Sequence, residues 1–168
     1  MHLHKYEKIW MSFGVGSLLL FLIVLGIGAF YQGTKPPSCM VTLDPQNVQA
    51  HDAFKDENLG LQQLGDSEYT LNVLASAFNY DMGVDEEGSP VRKVRIPVGS
   101  TVTFQATTKD VIHGFELAGT NVNMMLEPGY ISTLETTMDV PGTYTLICNE
   151  YCGTAHHLMM ATVEVYEE

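Results

Sequence analysis

Positive charge is scarce in this 168-residue sequence: eight Lys and Arg stand against 20 Asp and Glu, a net charge of −12. Binding to nucleic-acid phosphates requires Lys and Arg, so this balance argues against a nucleic-acid partner. An acidic surface suits a basic protein partner, or simply keeps a domain soluble.

Cysteine is scarce as well. The three cysteines cannot all pair with one another, and their spacing is not that of a disulfide-rich secreted scaffold.

Charged side chains are missing from the stretch Trp10–Tyr31, which is predominantly apolar. As a helix, these 22 residues would reach about 33 Å, enough to cross the hydrocarbon core of a bilayer. Lys5 and Lys8 precede the stretch, which predicts a cytoplasmic N-terminus. Signal peptides have apolar runs of only ~7–15 residues and a small-residue cleavage site, which is not evident here. The sequence therefore predicts a retained single-pass anchor.

The pattern divides the chain into three parts. Residues 1–33 form an N-terminal tip and a transmembrane helix, residues 34–68 a linker and lead-in, and residues 69–168 a β-domain. Within the lead-in, the stretch Gln46–Asp66 is polar with little periodicity, so it predicts only loop or short helix. Short alternating segments separated by turn residues predict an all-β sandwich or barrel. The predicted strands are Tyr69–Ala75, Val91–Val98, Thr101–Ala106, Ser132–Thr137, Gly142–Ile147 and Ala161–Tyr166.

Soft metal ligands are concentrated in one segment, Cys148–Met159, with the sequence C-N-E-Y-C-G-T-A-H-H-L-M. It contains two thiols, imidazole and a thioether between two predicted strands. Sulfur and imidazole together select copper or zinc over hard cations. A disulfide between the cysteines is one alternative. A zinc site that adds His113 is another, although zinc has no use for the thioether. A mononuclear blue-copper site needs only one cysteine.

A pair of copper ions would use all of these donors. Cys148 and Cys152 would bridge the two ions, and His113 and His156 would each bind one of them. Met159 would complete the ligands of one copper, and a backbone carbonyl in the loop would serve the other. His157 and Met160 are neighbouring residues of the same types and are weaker candidates.

This segment resembles the copper-A loop, C-x-E-x-C-G-x-x-H-x-x-M, of subunit II of the haem-copper oxygen reductases, and it matches every fixed position. The upstream V-I-H-G-F, with His113 at its centre, resembles the strand end that supplies the family's first histidine. The resemblance implies a cupredoxin Greek-key barrel with a dinuclear copper-A centre. It also implies that Glu150 binds copper through its main-chain carbonyl. The single anchor is similar to that of the smaller ba3-type (B-family) enzymes.

The function implied by the resemblance is electron transfer. Such a subunit accepts electrons from a cytochrome c or small cupredoxin and passes them to haem in subunit I, where oxygen is reduced. It lies in the cytoplasmic membrane of a prokaryote, with the copper domain outside, beside subunit I and a small additional subunit. In mitochondrial-like members the carboxylate at the Glu150 position also reaches a magnesium ion shared with subunit I. The alternatives are a copper-A subunit of a nitric oxide reductase and a copper-delivery protein.

Two aromatic residues are candidates for the surface where electrons arrive. The family has aromatic residues near copper on a strand that here contains Phe78 and Tyr80. Packing in the core of the barrel is an equally good explanation for both. The acidic cluster that follows, Asp81 and residues 85–87, would attract a basic cytochrome c or form a solvated hairpin tip.

Overall fold

The protein is described here by a computed structural model that covers residues 4–31 and 38–167, with side chains from residue 41 onward in the second range. The chain divides into two compact units, an N-terminal one and a C-terminal one, with the division at Lys35. The first unit is helical and the second consists mainly of strands.

The N-terminal unit is the helix α1, Lys5–Phe30. His4 caps it, because its side chain accepts a hydrogen bond from the Tyr6 amide while the Glu7 carboxylate accepts one from the His4 amide. Its apolar side chains are exposed along its whole length. Within the described ranges, α1 is the one helix long and apolar enough to cross a membrane. The structure therefore agrees with the predicted single anchor.

The C-terminal unit contains eleven strands within the described residues. They are β1 (Ser38–Thr42), β2 (Gly60–Gln63), β3 (Glu68–Ser76), β4 (Asn79–Asp81), β5 (Lys93–Pro97), β6 (Ser100–Thr108), β7 (His113–Leu117), β8 (Asn123–Leu126), β9 (Tyr130–Met138), β10 (Gly142–Ile147) and β11 (Met160–Tyr166).

These strands form two sheets that enclose one apolar core. The first sheet has the order β1-β9-β6-β3-β2, with β4 also paired to β3, and the second has the order β5-β11-β10-β7-β8. Alternate residues point inward, as expected for a half-buried strand; Phe104 on β6 and Phe115 on β7, for example, meet edge to face across the core. The architecture is that of a cupredoxin-like domain, and the predicted fold class is confirmed.

The described part of the lead-in, residues 38–68, is more ordered than its composition suggests. It supplies β1 and β2, which are the edge strands of the first sheet. Three single-turn 3-10 helices lie between them. Phe54 and Val48, from these turns, pack with Leu74 of β3 and Ile131 of β9 in a second apolar cluster. The composition hides this because short 3-10 turns leave no helical periodicity. We therefore propose that the β-domain begins with β1 and not at residue 69.

We predict that Gly60→Ala destabilises the β-domain far more than Gly88→Ala. Both glycines have a left-handed φ, +83° and +79°. A Cβ on Gly60 would lie 2.5 Å from the carbonyl oxygen of Met82, whereas one on Gly88 would meet nothing within 4 Å. Gly88→Ala should therefore cost about 1–2 kcal/mol of unfolding free energy, and Gly60→Ala roughly 2–5 kcal/mol because overpacking adds to the strain. Urea unfolding followed by near-ultraviolet circular dichroism measures both; equal losses would contradict the clash.

Candidate metal centre

The twelve-residue loop from Cys148 to Met159 connects β10 and β11, which are adjacent antiparallel strands. The two ends of the loop are held together. Ile147 pairs with Met160, and the amide of Cys148 donates to the carbonyl of Met159 at 3.3 Å. The scaffold therefore fixes where the loop begins and ends, and the predicted ligands lie on a loop anchored by a rigid sheet.

His113 reaches the loop from a different strand. It is the first residue of β7, and β7 pairs with β10 through Leu117 opposite Leu146 and Glu116 opposite Ile147. Continuing this antiparallel register brings the start of β7 beside the first residues of the loop. The His113 side chain is completely buried. Residues 35 apart in sequence, His113 and Cys148, are thereby neighbours.

Each side-chain donor atom lies within 4 Å of a cysteine sulfur. The Sγ atoms of Cys148 and Cys152 are 3.7 Å apart. Nδ1 of His113 lies 3.9 Å from the first sulfur, and Nδ1 of His156 lies 3.6 Å from the second. Sδ of Met159 lies 3.8 Å from the Cys152 sulfur. The structure therefore brings the five predicted side-chain ligands together, with one imidazole beside each thiol.

Glu150 approaches the same group through its main chain. Its carbonyl oxygen accepts a hydrogen bond from the thiol of Cys148 at 3.1 Å. The residue is exposed. The atom that faces the sulfur is thus the carbonyl oxygen, the donor that the resemblance implies.

The neighbouring candidates are less favourably placed. His157 is exposed, whereas His156 is half-buried. Met160 is 48% exposed, whereas Met159 is 1% exposed. Both cysteines are free and buried. The structure therefore offers two unbonded thiols, not a disulfide, at the centre of the group.

Asp110 orients His113 and was missed at the sequence level. Its Oδ1 atom lies 2.8 Å from Nε2 of His113, which leaves Nδ1 facing the sulfur. The amides of Ala77 and Val111 and the hydroxyl of Thr108 also donate to this carboxylate. Partial burial opposes the charge, but these hydrogen bonds outweigh it and lower the pKa of Asp110 to about 2. The one available clue in the sequence was an acid three residues before the histidine.

Burial shapes the chemistry of the thiols. It raises the pKa of Cys152, and the adjacent Cys148 thiol raises it further. Without a cation the Cys152 thiol therefore keeps its proton at neutral pH. A metal ion that binds the Cys152 thiolate would displace that proton.

Phe78 and Tyr80 lie close to the loop but in different environments. Tyr80 is 2% exposed, and its hydroxyl donates to the carbonyl of Gly114. Burial raises the pKa of Tyr80, and the nearby thiols add to the effect. Phe78 is half-buried, and its ring packs so closely on Gly153 that a Cβ there would lie 2.9 Å from Cε1. Of the two, Phe78 is thus the residue that retains an exposed surface.

The donor set fits a soft metal ion. Metal–thiolate bonds are about 2.3 Å long, so two sulfurs 3.7 Å apart can both reach one ion. His113, Cys148 and Cys152 also have ligand atoms within 4.8 Å of one another. A cupredoxin-like sandwich with this group between the β10–β11 loop and the start of β7 defines a class of metal-binding electron carriers.

Comparison with known proteins narrows this class. Residues 82–166 match the family model for the cytochrome c oxidase subunit II periplasmic domain. The chain is 36% identical over 164 residues to a cytochrome c oxidase subunit 2 of Thermus thermophilus, covering 96% of this chain and 92% of the relative. A second Thermus thermophilus cytochrome c oxidase subunit 2 is 37% identical over 135 residues, covering 80% of this chain and 93% of the relative. The chain belongs to the cytochrome c oxidase subunit II family.

A solved structure agrees with this assignment. A chain from a heme-copper terminal oxidase dimer is 29% identical and superimposes with a TM-score of 0.77, covering 96% of this chain and 100% of that one. The match includes both the helix and the β-domain, since it extends over nearly the whole length. The predicted family is therefore confirmed.

We predict that Asp110→Ala lowers copper affinity by roughly 10- to 100-fold, the usual effect of removing a carboxylate that orients a ligating histidine. His113 would lose its hydrogen bond at Nε2 and could turn away from Cys148. Chelator competition measures the affinity. Asp139→Ala, which removes an exposed carboxylate at the end of β9, is the control. Equal affinities of the two variants would show that Asp110 does not orient the ligand.

Proposed function

We propose that this chain accepts electrons from a cytochrome c or small cupredoxin at a dinuclear copper-A centre and passes them to haem in subunit I for oxygen reduction. The observation that carries the proposal is the pair of unbonded thiol sulfurs 3.7 Å apart, each with an imidazole nitrogen within 4 Å. Membership of the cytochrome c oxidase subunit II family supports it.

In this proposal each donor has one task. Cys148 and Cys152 would bridge two copper ions, and His113 and His156 would each bind one of them. Met159 binds the copper nearer Cys152, because its sulfur lies 3.8 Å from that thiol. The Glu150 carbonyl serves the other copper, because it lies 3.1 Å from the Cys148 sulfur. Bound copper would supply the one-electron redox couple.

The protein side of the site suits electron relay better than catalysis. Cys148, Cys152, His113 and Met159 are all buried, so little room is left for a substrate beside the donors. The loop is also fixed at both ends by the pairing of β10 with β11. Rigid, closed ligands minimise the rearrangement that accompanies each electron transfer. Oxygen chemistry is therefore assigned to the partner subunit.

The surface around the ligands suits a transient protein partner. Ile112, Tyr151 and Leu158 each immediately precede a ligand in the chain, and all three are exposed apolar residues. The domain as a whole is acidic, since residues 34–168 carry six Lys and Arg and 19 Asp and Glu, a net charge of −13. An apolar contact surrounded by negative potential favours encounter with a basic electron donor. Phe78, half-buried beside the loop, is our candidate for the route by which electrons arrive.

The same proposal includes the side of the membrane on which the β-domain lies and the subunits beside it. Lys5 and Lys8 lie on the cytoplasmic side of α1, so the β-domain lies outside the membrane. Subunit I is the main partner, with a small additional subunit beside it. The proposed interface with subunit I also includes a magnesium ion bound by the Glu150 carboxylate. That side chain is exposed and free to face a partner.

We expect the purified full chain, loaded with copper and oxidised, to hold two copper ions that share one unpaired electron. The reason is that two thiolates can bridge both ions and delocalise the electron between them. Metal analysis measures the stoichiometry, and electron paramagnetic resonance should resolve hyperfine structure from both copper nuclei. A single copper, or labile Cu(I) that gives no such signal after oxidation, would instead indicate a copper-delivery protein.

We predict that Cys152→Ser abolishes the shared-electron state and leaves at most a mononuclear site. Serine keeps the size of the side chain but removes the thiolate, and Cys152 contacts both His156 and Met159. The same spectra and metal analysis measure the outcome. Cys39→Ser, which changes the cysteine outside the loop, is the matched control and should retain both copper ions. An unchanged two-copper spectrum in Cys152→Ser would refute the bridging role.

A further inference from the structure

Gly114 connects the metal centre to the rest of the fold. It follows His113 on β7, and its amide donates a hydrogen bond to Sγ of Cys148 at 3.4 Å. A hydrogen bond to a metal-bound sulfur withdraws electron density from that sulfur. Such bonds are among the factors that tune the reduction potential of copper–thiolate and iron–sulfur centres. The direction of the Gly114 amide is therefore a property that matters for electron transfer.

The ligand loop confines Gly114 on one side. A Cβ at this position would lie 2.5 Å from the Asn149 amide nitrogen and 2.8 Å from that of Glu150. The Asn149 side chain is also anchored, because its Nδ2 atom donates to Glu116 at 2.9 Å and to Asn123 at 3.2 Å. The loop thus packs against the bare Cα of Gly114, and glycine is required here for space, since its φ is not positive.

Tyr80 holds Gly114 from the opposite sheet. It lies on β4, which belongs to the first sheet, whereas Gly114 lies on β7 of the second. Its hydroxyl donates to the Gly114 carbonyl inside the core. Its ring packs edge to face against Phe115, with centroids 5.9 Å apart. One backbone residue therefore receives a hydrogen bond from one sheet and gives one to a sulfur of the centre.

Packing alone does not explain the hydroxyl. A phenylalanine would fill the same apolar space and keep the contact with Phe115. A buried hydroxyl costs free energy unless it is hydrogen-bonded, and here its acceptor is the residue next to His113. The hydroxyl therefore has a specific target, and the target is the residue that contacts Cys148.

We propose that Tyr80 is a positioning residue for the metal centre. By holding the Gly114 carbonyl, its hydroxyl keeps the Gly114 amide aimed at Cys148 Sγ and so raises the reduction potential of the centre. Tyr80 needs no bond to the metal for this role. The part that concerns the reduction potential rests on the proposed function, because it requires Cys148 to carry copper. The part that concerns Gly114 does not, because the contact exists in the protein alone.

Tyr80→Phe in the full chain tests both parts. In the metal-free protein labelled with isotopic glycine, we expect the Gly114 amide to exchange with solvent roughly 3- to 10-fold faster than in the wild type, as loss of one hydrogen bond predicts. In the copper-loaded protein we expect the same copper content as in the wild type, a lower reduction potential and a shifted sulfur-to-copper absorption band. Redox titration followed by that band measures the potential.

Tyr144→Phe is the matched control. Tyr144 also donates its hydroxyl to a backbone carbonyl, that of Val140, but the acceptor lies before β10 and not at the centre. This variant should keep the wild-type potential and Gly114 exchange rate. An unchanged potential and exchange rate in Tyr80→Phe would overturn the proposal and leave Tyr80 as a packing residue.

Two further outcomes separate this proposal from the proposed function. If the wild type fails to form the two-copper state, the proposed function fails, yet the exchange rate of the Gly114 amide still tests the positioning. If Tyr80→Phe does not fold, Tyr80→Met provides a second apolar replacement that adapts to irregular space. Faster Gly114 exchange in that variant would support the proposal, and wild-type exchange would overturn it.

Discussion

The structure depends on one constraint: two thiols must stay close together without forming a bond. Their sulfurs are 3.7 Å apart, and the two ends of the loop that carries them are held together by the pairing of β10 with β11. The β10–β11 ladder supplies the fixed ends, and β7 brings the buried His113 against the loop from the side. The other two strands of the second sheet, β5 and β8, pair with β11 and β7 and hold these three strands from both sides. A flexible loop of the same composition would satisfy the ligand count but not the spacing.

The support for this arrangement comes from both sheets. Asp110, in the connection from β6 to β7, bonds to His113 and also accepts the amide of Ala77 at the β3–β4 turn. Tyr80 makes a second such link between the sheets, because its hydroxyl on β4 donates to the carbonyl of Gly114 on β7. A sandwich core joins its two sheets mainly by apolar contacts, which are not directional. Here directional hydrogen bonds also cross between the sheets, at the end of the domain where the thiols lie.

The sequence predicted those parts of the fold that depend on neighbouring residues. The ligand loop is readable because five of its six donors lie within twelve residues, and β10 begins and ends at the predicted residues, Gly142 and Ile147. The anchor is equally local. The lead-in strands β1 and β2 were not predicted, because an edge strand takes its structure from the sheet it joins. Gly114 was missed for the same reason, since its partner Cys148 lies 34 residues away. Asp110 stands only three residues before His113, but the Ala77 amide that helps to hold its carboxylate comes from 33 residues away.

His113 and Cys148 are separated by 35 residues, and a metal held by both would act as a cross-link across that length of chain. Like a disulfide, such a link restricts the unfolded chain and favours the native state. Metal binding and folding are then thermodynamically coupled, so loss of the metal lowers the stability of the fold. In a cell short of copper, newly made chains would open more often and be degraded sooner, so the abundance of this subunit would follow the supply of metal.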